Sequence, residues 1–299
     1  MKYKENVFDL IGNTPLLKLK DTNIYVKLEC FNLTGSIKDR AVKQMLLTLL
    51  EQKKINKDTT IIEATSGNTG ISLAAICGYL EMKCIIVMTD DVTKERIDFI
   101  EAFGATIIKV KSEEGMKGCI KKAFELNKKI KNSYILDQFN NFDNSSAHYL
   151  STGKEIYEAL DGKIDYFVAG IGTGGTISGV GKYLKEKNAN IKIIGVEPAN
   201  SSVIKNNAKG SHSIYGLGAG FIPLILDMGV IDDIYLVDDI EAIKEAKEFC
   251  KRQGVLVGIS SGAALNVAYK IQEKYGKDKN IVCILPDSGD RYFSFFSQF

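Results

Sequence analysis

Lys38 stands in the run Ser36-Ile37-Lys38-Asp39-Arg40, and a stretch of small polar and glycine residues, Thr65-Ser66-Gly67-Asn68-Thr69-Gly70, follows it along the chain. A lysine amine can form an imine with a carbonyl compound. Hydroxyls, one amide and free backbone N–H groups at a helix start suit a carboxylate. Together the two segments point to chemistry on an amino acid. A further run, Gly170-Ile171-Gly172-Thr173-Gly174-Gly175-Thr176, follows a predicted strand and opens a predicted helix. Its N–H groups would converge on an anion at the positive end of that helix, and a phosphate is the natural guest.

The same glycine run also satisfies G-x-G-x-x-G, and Glu197 ends the next strand at the distance where a dinucleotide-binding fold places its ribose carboxylate. Taken alone, this would indicate a nicotinamide dehydrogenase; it leaves Lys38 and the 65–70 loop without a role. Glycines that only permit tight helix-on-strand packing are a further reading. His148 and His212 have no spaced carboxylate or cysteine partners, so no metal site is expected. A lone lysine near a helix start is ordinarily solvated surface, and the helix N-terminus disfavours its charge. That same field lowers the pKa of a free amine, which suits an imine-forming lysine.

The elements that must position these residues alternate along the chain. Short β-branched runs at 24–29, 60–64, 84–88, 106–110, 164–169, 191–196, 234–237 and 280–285 are separated by amphipathic stretches. This is the pattern of parallel strands joined by helical crossovers. Thr93 is expected to cap a helix with Ile97, Ile100 and Phe103 on one face and Gly104 as its stop; Asp239 opens another that ends at Gly254. Neither helix shows an obvious catalytic group. Pro15, Pro198, Pro223 and Pro286, the four prolines, fall at element boundaries.

A chain of 299 residues exceeds what one core usually supports, so two domains or one large α/β unit is expected. With 45% hydrophobic and 25% charged residues it reads as a soluble globular protein. The net charge of +2 comes mostly from scattered lysines, with no basic run interleaved with aromatics, which argues against nucleic-acid binding. Six cysteines form no C-x-x-C pair, several inside apolar runs, and read as buried free thiols of a reducing cytoplasm. The segment Met1-Lys2-Tyr3-Lys4-Glu5-Asn6 lacks the apolar stretch of a signal peptide, and no run is long enough to span a bilayer. The sequons at Asn32 and Asn144 are then without meaning.

These motifs resemble the cysteine synthase (O-acetylserine sulfhydrylase) branch of the pyridoxal-phosphate enzymes with the tryptophan-synthase β-like fold, also called fold type II. The resemblance runs from Ile11-Gly12-Asn13-Thr14-Pro15-Leu16 to Leu285-Pro286-Asp287-Ser288-Gly289-Asp290-Arg291-Tyr292. Between them it takes in the Lys38, 65–70 and 170–176 segments, Gln138-Phe139-Asn140, Gly216-Leu217-Gly218-Ala219-Gly220 and Gly258-Ile259-Ser260-Ser261-Gly262.

The resemblance implies two α/β domains with mostly parallel sheets flanked by helices: a smaller mobile one at 39–141, and a larger cofactor-binding one of 1–38 plus 142–299. It implies that Lys38 holds pyridoxal 5'-phosphate as an imine and serves as base and acid at Cα. Gly172, Thr173, Gly174, Gly175 and Thr176 would bind the phosphate, Asn68 the ring's 3-oxygen, and Ser260 the pyridine nitrogen. Thr65, Ser66, Thr69 and Gln138 would receive the substrate carboxylate. The implied reaction is β-replacement through an α-aminoacrylate, converting O-acetyl-L-serine and sulfide to L-cysteine and acetate. The alternative takes L-cysteine as donor, releasing hydrogen sulfide and forming lanthionine, cystathionine or serine. A homodimer in the cytoplasm is implied, and so is a partner, the C-terminal tail of serine acetyltransferase. Tyr215 departs from the family pattern, where a polar amide is frequent, and Ala219 offers no base near Cβ.

Overall fold

Continuous β-branched runs bounded by turns are what a parallel strand needs when both of its faces are covered. The computed structural model describes residues 3–293, leaving Met1 and Lys2 of the N-terminal segment outside the described residues. In chain order it forms β1 (Leu16–Lys18), β2 (Ile24–Leu28), α1 (Lys38–Glu51), β3 (Thr60–Ala64), α2 (Asn68–Tyr79), β4 (Cys84–Thr89), α3 (Lys94–Ala102), β5 (Thr106–Val110), α4 (Gly115–Lys129) and β6 (Ser133–Ile135). There follow α5 (Asp143–Ala147), α6 (Gly153–Ala159), β7 (Tyr166–Gly170), α7 (Gly175–Lys187), β8 (Lys192–Pro198), α8 (Val203–Asn206), β9 (Asp233–Val237), α9 (Asp239–Gln253), α10 (Ile259–Tyr275) and β10 (Ile281–Leu285). All eight expected strands form, with ends shifted by a residue or two. The short β1 and β6 were not expected; three residues carry no readable alternation, and they exist because β2 and β3 offer them pairing edges.

The strands make two sheets, one of six in the order β1-β2-β10-β7-β8-β9 and one of four in the order β5-β4-β3-β6. Among the described residues, only β1 runs antiparallel to its neighbour. Alternate residues of β3 feed opposite faces, as the two-residue period requires. Ile61 packs with α1 and α2 through Val42, Met45, Ile71 and Ile76, while Ile62 packs with α4 through Cys119 and Ala123. Phe8 and Ile11 join the first of these clusters. The larger sheet is covered by α9 and α10 on one face and by α7 on the other.

Two helix details differ from expectation. In α3 the buried residues are Arg96 and Ile100, whereas Phe103 is 40% exposed. The helix is thus turned to bury a cation, and Thr93 makes no side-chain cap bond. In α9 the cap residue is Asp238, and Asp239, the first helical residue, accepts from the Ser213 N–H at 2.6 Å. Gly254 ends that helix at φ +69°, the left-handed conformation glycine adopts freely. Asn32 and Asn144 are both buried and hydrogen-bonded, as expected of sequons without meaning.

An ionic cluster fixes the start of α1. The buried Arg40 guanidinium donates to Glu29 Oε2 at 2.7 Å and to Glu155 Oε1 at 2.6 Å. Lys27 pairs with Glu155 Oε2 at 2.7 Å. The cluster ties α1 to the segment after β2 and to α6. Burial pushes the Glu155 carboxyl up, but the hydrogen bond and charge of Arg40, with Lys27 behind them, prevail and hold it at about 2. Because this value lies below the ordinary 4.5, the associated stability is present above pH 4.5 and is lost as pH falls towards 2. Arg40→Ala should cost about 3–5 kcal/mol in denaturant unfolding, since it strands two carboxylates. Glu155→Gln should flatten the acid limb of the stability profile; an unchanged acid limb would contradict the assignment.

Candidate active site

Ligands of parallel α/β folds bind beyond the carboxyl ends of the strands, where helices begin. Here α1, α2, α7 and α10 all start at one cavity of about 340 Å³. Four positive helix ends therefore face the same space.

Lys38 is the first residue of α1 and lines the cavity. The segment before it is held by main-chain bonds to the segment that follows β10: the Ile37 N–H donates to the Pro286 carbonyl at 2.8 Å, and the Ser288 N–H to the Gly35 carbonyl at 3.0 Å. The side chain keeps some exposed area because it borders the cavity, yet its amine is enclosed by protein. Burial lowers the amine pKa, against the opposing charge of Asp287. The surroundings thus make this amine less basic than a solvated lysine.

The 65–70 segment lies on the same cavity. The helix α2 begins at Asn68, inside the loop and earlier than the sequence indicated, so the free N–H groups of its first turn belong to the cradle. Thr65, Ser66 and Thr69 line the cavity, and the Thr69 hydroxyl donates to Gln138 Oε1 at 2.6 Å. Gln138 follows Asp137, which has a φ of +56°. This kinked segment is gripped by Glu63 at the end of β3, which accepts the Asp137 N–H at 2.8 Å and the Gln138 N–H at 3.2 Å. Burial pushes the Glu63 carboxyl up to about 8, the two N–H groups pulling the other way.

Gly172, Thr173, Gly174 and Thr176 line the cavity where α7 begins. Gly175 lies just behind the lining, packed on Asn144: a Cβ there would stand 2.1 Å from Asn144 Oδ1. A Cβ on Gly172 would come within 2.1 Å of the Gly216 carbonyl oxygen. Asn144 joins the two cradles, donating to the Gln138 carbonyl at 2.8 Å and to Thr173 Oγ1 at 3.1 Å. Between α5 and α6 a π-helical turn, His148–Thr152, sets the His148 ring between Thr152 Oγ1 at 3.0 Å and Thr176 Oγ1 at 3.3 Å. Burial, then the charge of Arg40, holds this histidine well below its usual range, so it is neutral.

Ser260 lines the cavity at the start of α10. Asn68 lines it too, with its side chain held from the larger sheet: Nδ2 donates to Asp287 Oδ2 at 2.7 Å, and Oδ1 accepts from Arg291. One N–H of that amide remains for a ligand. Tyr292 donates to the same Asp287 oxygen at 2.6 Å. Sequence reasoning assigned no role to Glu63, Arg96, Asn144, Asp287 or Arg291. Asp287 and Arg291 stood in a quoted motif without a role of their own, and Glu63 and Arg96 showed only as polar residues at positions that the structure buries. Glu197, the residue a dinucleotide fold would give to ribose, is buried and accepts the N–H groups of Ile204 at 2.9 Å and Lys205 at 3.0 Å. It caps α8 instead. No cluster of metal-ligating side chains occurs among the described residues.

An enclosed amine of lowered basicity beside a glycine turn, under converging helix ends, is the equipment of an enzyme that carries an aldehyde cofactor with a phosphate. Residues 7–287 match the pyridoxal-phosphate dependent enzyme family, and the chain belongs to it. Within that family it is 48% identical to cysteine synthase B of Campylobacter jejuni, over 98% of this chain and 98% of that protein. Among solved structures, a hydrogen sulfide-producing enzyme from Fusobacterium nucleatum superposes with a TM-score of 0.94 at 42% identity, covering 97% of this chain and 100% of that one. An O-acetylserine dependent cystathionine beta-synthase from Helicobacter pylori superposes with a TM-score of 0.93 at 38% identity, covering 98% of each chain. The chain is thus a cysteine synthase-type enzyme dependent on pyridoxal phosphate.

The cavity fits that cofactor through Lys38 and the α7 turn, where Gly172 brings main chain against main chain. Gly172→Ala would force apart the 172 and 216 segments, a strain of about 1–3 kcal/mol or more. The expected result is that added pyridoxal phosphate no longer raises the thermal midpoint of that variant as it does for the unsubstituted protein. An equal rise in both would contradict the tight fit.

Proposed function

We propose that the protein performs β-replacement on a three-carbon amino acid, converting O-acetyl-L-serine and sulfide to L-cysteine and acetate. The observation that carries this reading is an enclosed Lys38 amine of lowered basicity that shares one cavity with the 65–69 segment and the glycine turn before α7. When bound, pyridoxal phosphate draws electrons from Cα and so makes the α-proton removable. Lys38 takes that proton and returns it, a role its lowered basicity suits. Thr65, Ser66, Thr69 and Gln138 hold the substrate carboxylate. Thr69 and Gln138 are already bonded to each other, so the cradle is ordered in advance. Gly172 to Thr176 hold the phosphate, and Asn68 bonds the ring oxygen with its remaining N–H.

Ser260 meets the pyridine nitrogen with a hydroxyl. A carboxylate there would keep the nitrogen protonated and deepen electron withdrawal; a hydroxyl does not. The weaker sink favours reactions in which charge leaves promptly with a β-substituent. Residues 39–141 move as the smaller unit and close over the substrate carboxylate, excluding water. The Asn68–Asp287 and Asn68–Arg291 bonds give that closure a contact between the two sheets' segments.

A second reading takes L-cysteine as donor and releases hydrogen sulfide, forming lanthionine, cystathionine or serine. The likeness to the sulfide-producing enzyme of Fusobacterium nucleatum favours keeping it. A cytoplasmic site is supported by six free thiols, and a homodimer by family membership alone. The carboxylate cradle would also accept the C-terminal carboxylate of a serine acetyltransferase tail. Among the described residues no helix is long and apolar enough to cross a membrane.

Cofactor-loaded protein given L-cysteine alone separates the two donors. Negligible sulfide, with rapid cysteine formation from O-acetylserine and sulfide, is the expected result; steady sulfide with lanthionine or serine would establish the second reading. Lys38→Ala should keep the cofactor with reduced affinity and lose turnover by about a thousand-fold or more. Sustained product formation by that variant would remove Lys38 from the proton-transfer role.

A further inference from the structure

Arg96 stands apart in the electrostatics of this cavity. It lies in the first turn of α3, the helix that follows β4, and β4 pairs directly with β3, whose carboxyl end leads into the 65–70 cradle. Its side chain is 5% exposed and borders the cavity. A buried guanidinium ordinarily faces a carboxylate, as Arg40 does with Glu29 and Glu155. Arg96 forms no ion pair among the described residues, and its Nε has no hydrogen-bond partner. Asp287 is close enough to feel its charge, but Asn68 and Tyr292 already occupy one of that carboxylate's oxygens.

What Arg96 does have is ring faces. Its guanidinium carbon lies 4.6 Å from the centroid of Tyr215 and 5.3 Å from that of Tyr292. Aromatic packing against the guanidinium face holds the group in place and leaves donors in its plane, where a carboxylate binds. The α-carboxylate already has the first turn of α2 and the hydroxyls around it, one strand away.

We propose that Arg96 is an anion subsite for the side-chain end of the amino acid, so that the pocket prefers ligands bearing a second carboxylate or a β-substituent that departs as one. The proposal rests on the reading of the cavity as an amino-acid site. The occupant is a dicarboxylic amino acid or the carboxylate portion of a β-acyloxy amino acid, and the recognising chemistry is a planar guanidinium meeting a planar carboxylate.

The test is equilibrium binding of L-aspartate, L-asparagine and L-alanine to cofactor-loaded protein, followed by the cofactor's visible absorption. Aspartate and asparagine are nearly isosteric and differ in the charge that Arg96 would read. Aspartate should bind about tenfold or more tightly than asparagine. In Arg96→Met that ratio should fall to about one while alanine affinity shifts less than about twofold; Arg96→Lys should keep part of the preference. Thermal melting of both variants separates a damaged pocket from altered selectivity, and Arg96→Lys carries the test if Arg96→Met does not fold. Absence of an aspartate preference in the unsubstituted protein, or its survival in Arg96→Met, would overturn the subsite. Equal weakening of alanine would also overturn it, by placing Arg96 on the α-carboxylate. If no amino acid altered the absorption of the unsubstituted protein, the amino-acid reading itself would fall and the subsite with it.

Discussion

An amine enclosed by protein at the start of a helix is an expensive arrangement if it carries charge, and the site is built around such an amine, Lys38. Burial and the helix end both disfavour the ammonium form of Lys38, while Asp287 alone pulls the other way. Holding such a group in place requires a rigid surround. The main-chain bonds of 35–37 to 286–288 provide it on one side, and the Arg40 cluster two residues further along provides it on the other. The same converging helix ends that disfavour a cation favour anions, and the glycine turn before α7 and the 65–69 segment line one cavity with the amine.

That cavity is joined by polar contacts that cross between the two sheets' segments. Asn144 links Gln138 to the 173 turn, and Asn68 is held by Asp287 and Arg291. A ligand that engages Asn68 or Gln138 therefore acts on both sides of the cleft. Glu63 contributes without touching the cavity's chemistry: its two accepted N–H bonds shape the bend that presents Gln138. The neutral His148, seated by a π-helical turn, orients the Thr176 hydroxyl in the same indirect way.

Much of this was legible in the sequence because parallel α/β folds write their sites into local runs. A strand buried on both faces, a glycine turn and a helix start are each continuous segments, and β3, β4, β5 and α7 were readable on those grounds. The lysine, the Thr65 segment, the 172–176 turn, Gln138 and Ser260 do meet at one cavity, with Gly175 just behind its wall. What stayed hidden depends on contacts between distant segments. The strands β1 and β6 form only against partners already in place. In α3 the spacing of Ile97, Ile100 and Phe103 looked like the buried face, yet the helix turns Arg96 inward because two aromatic rings wait for it across the cleft. Asp287 and Arg291 were visible as a motif, but their hold on Asn68 spans more than two hundred residues of chain.

The central claim is that Lys38, and no other lysine, is the amine that carries the cofactor. Borohydride reduction of the cofactor-loaded protein fixes pyridoxal phosphate onto the amine that bears it, and peptide mass mapping then reads the position. The account predicts that the reduced cofactor is found on the peptide containing Lys38 at about one per chain. Attachment to a different lysine, or none after full cofactor loading, would contradict it.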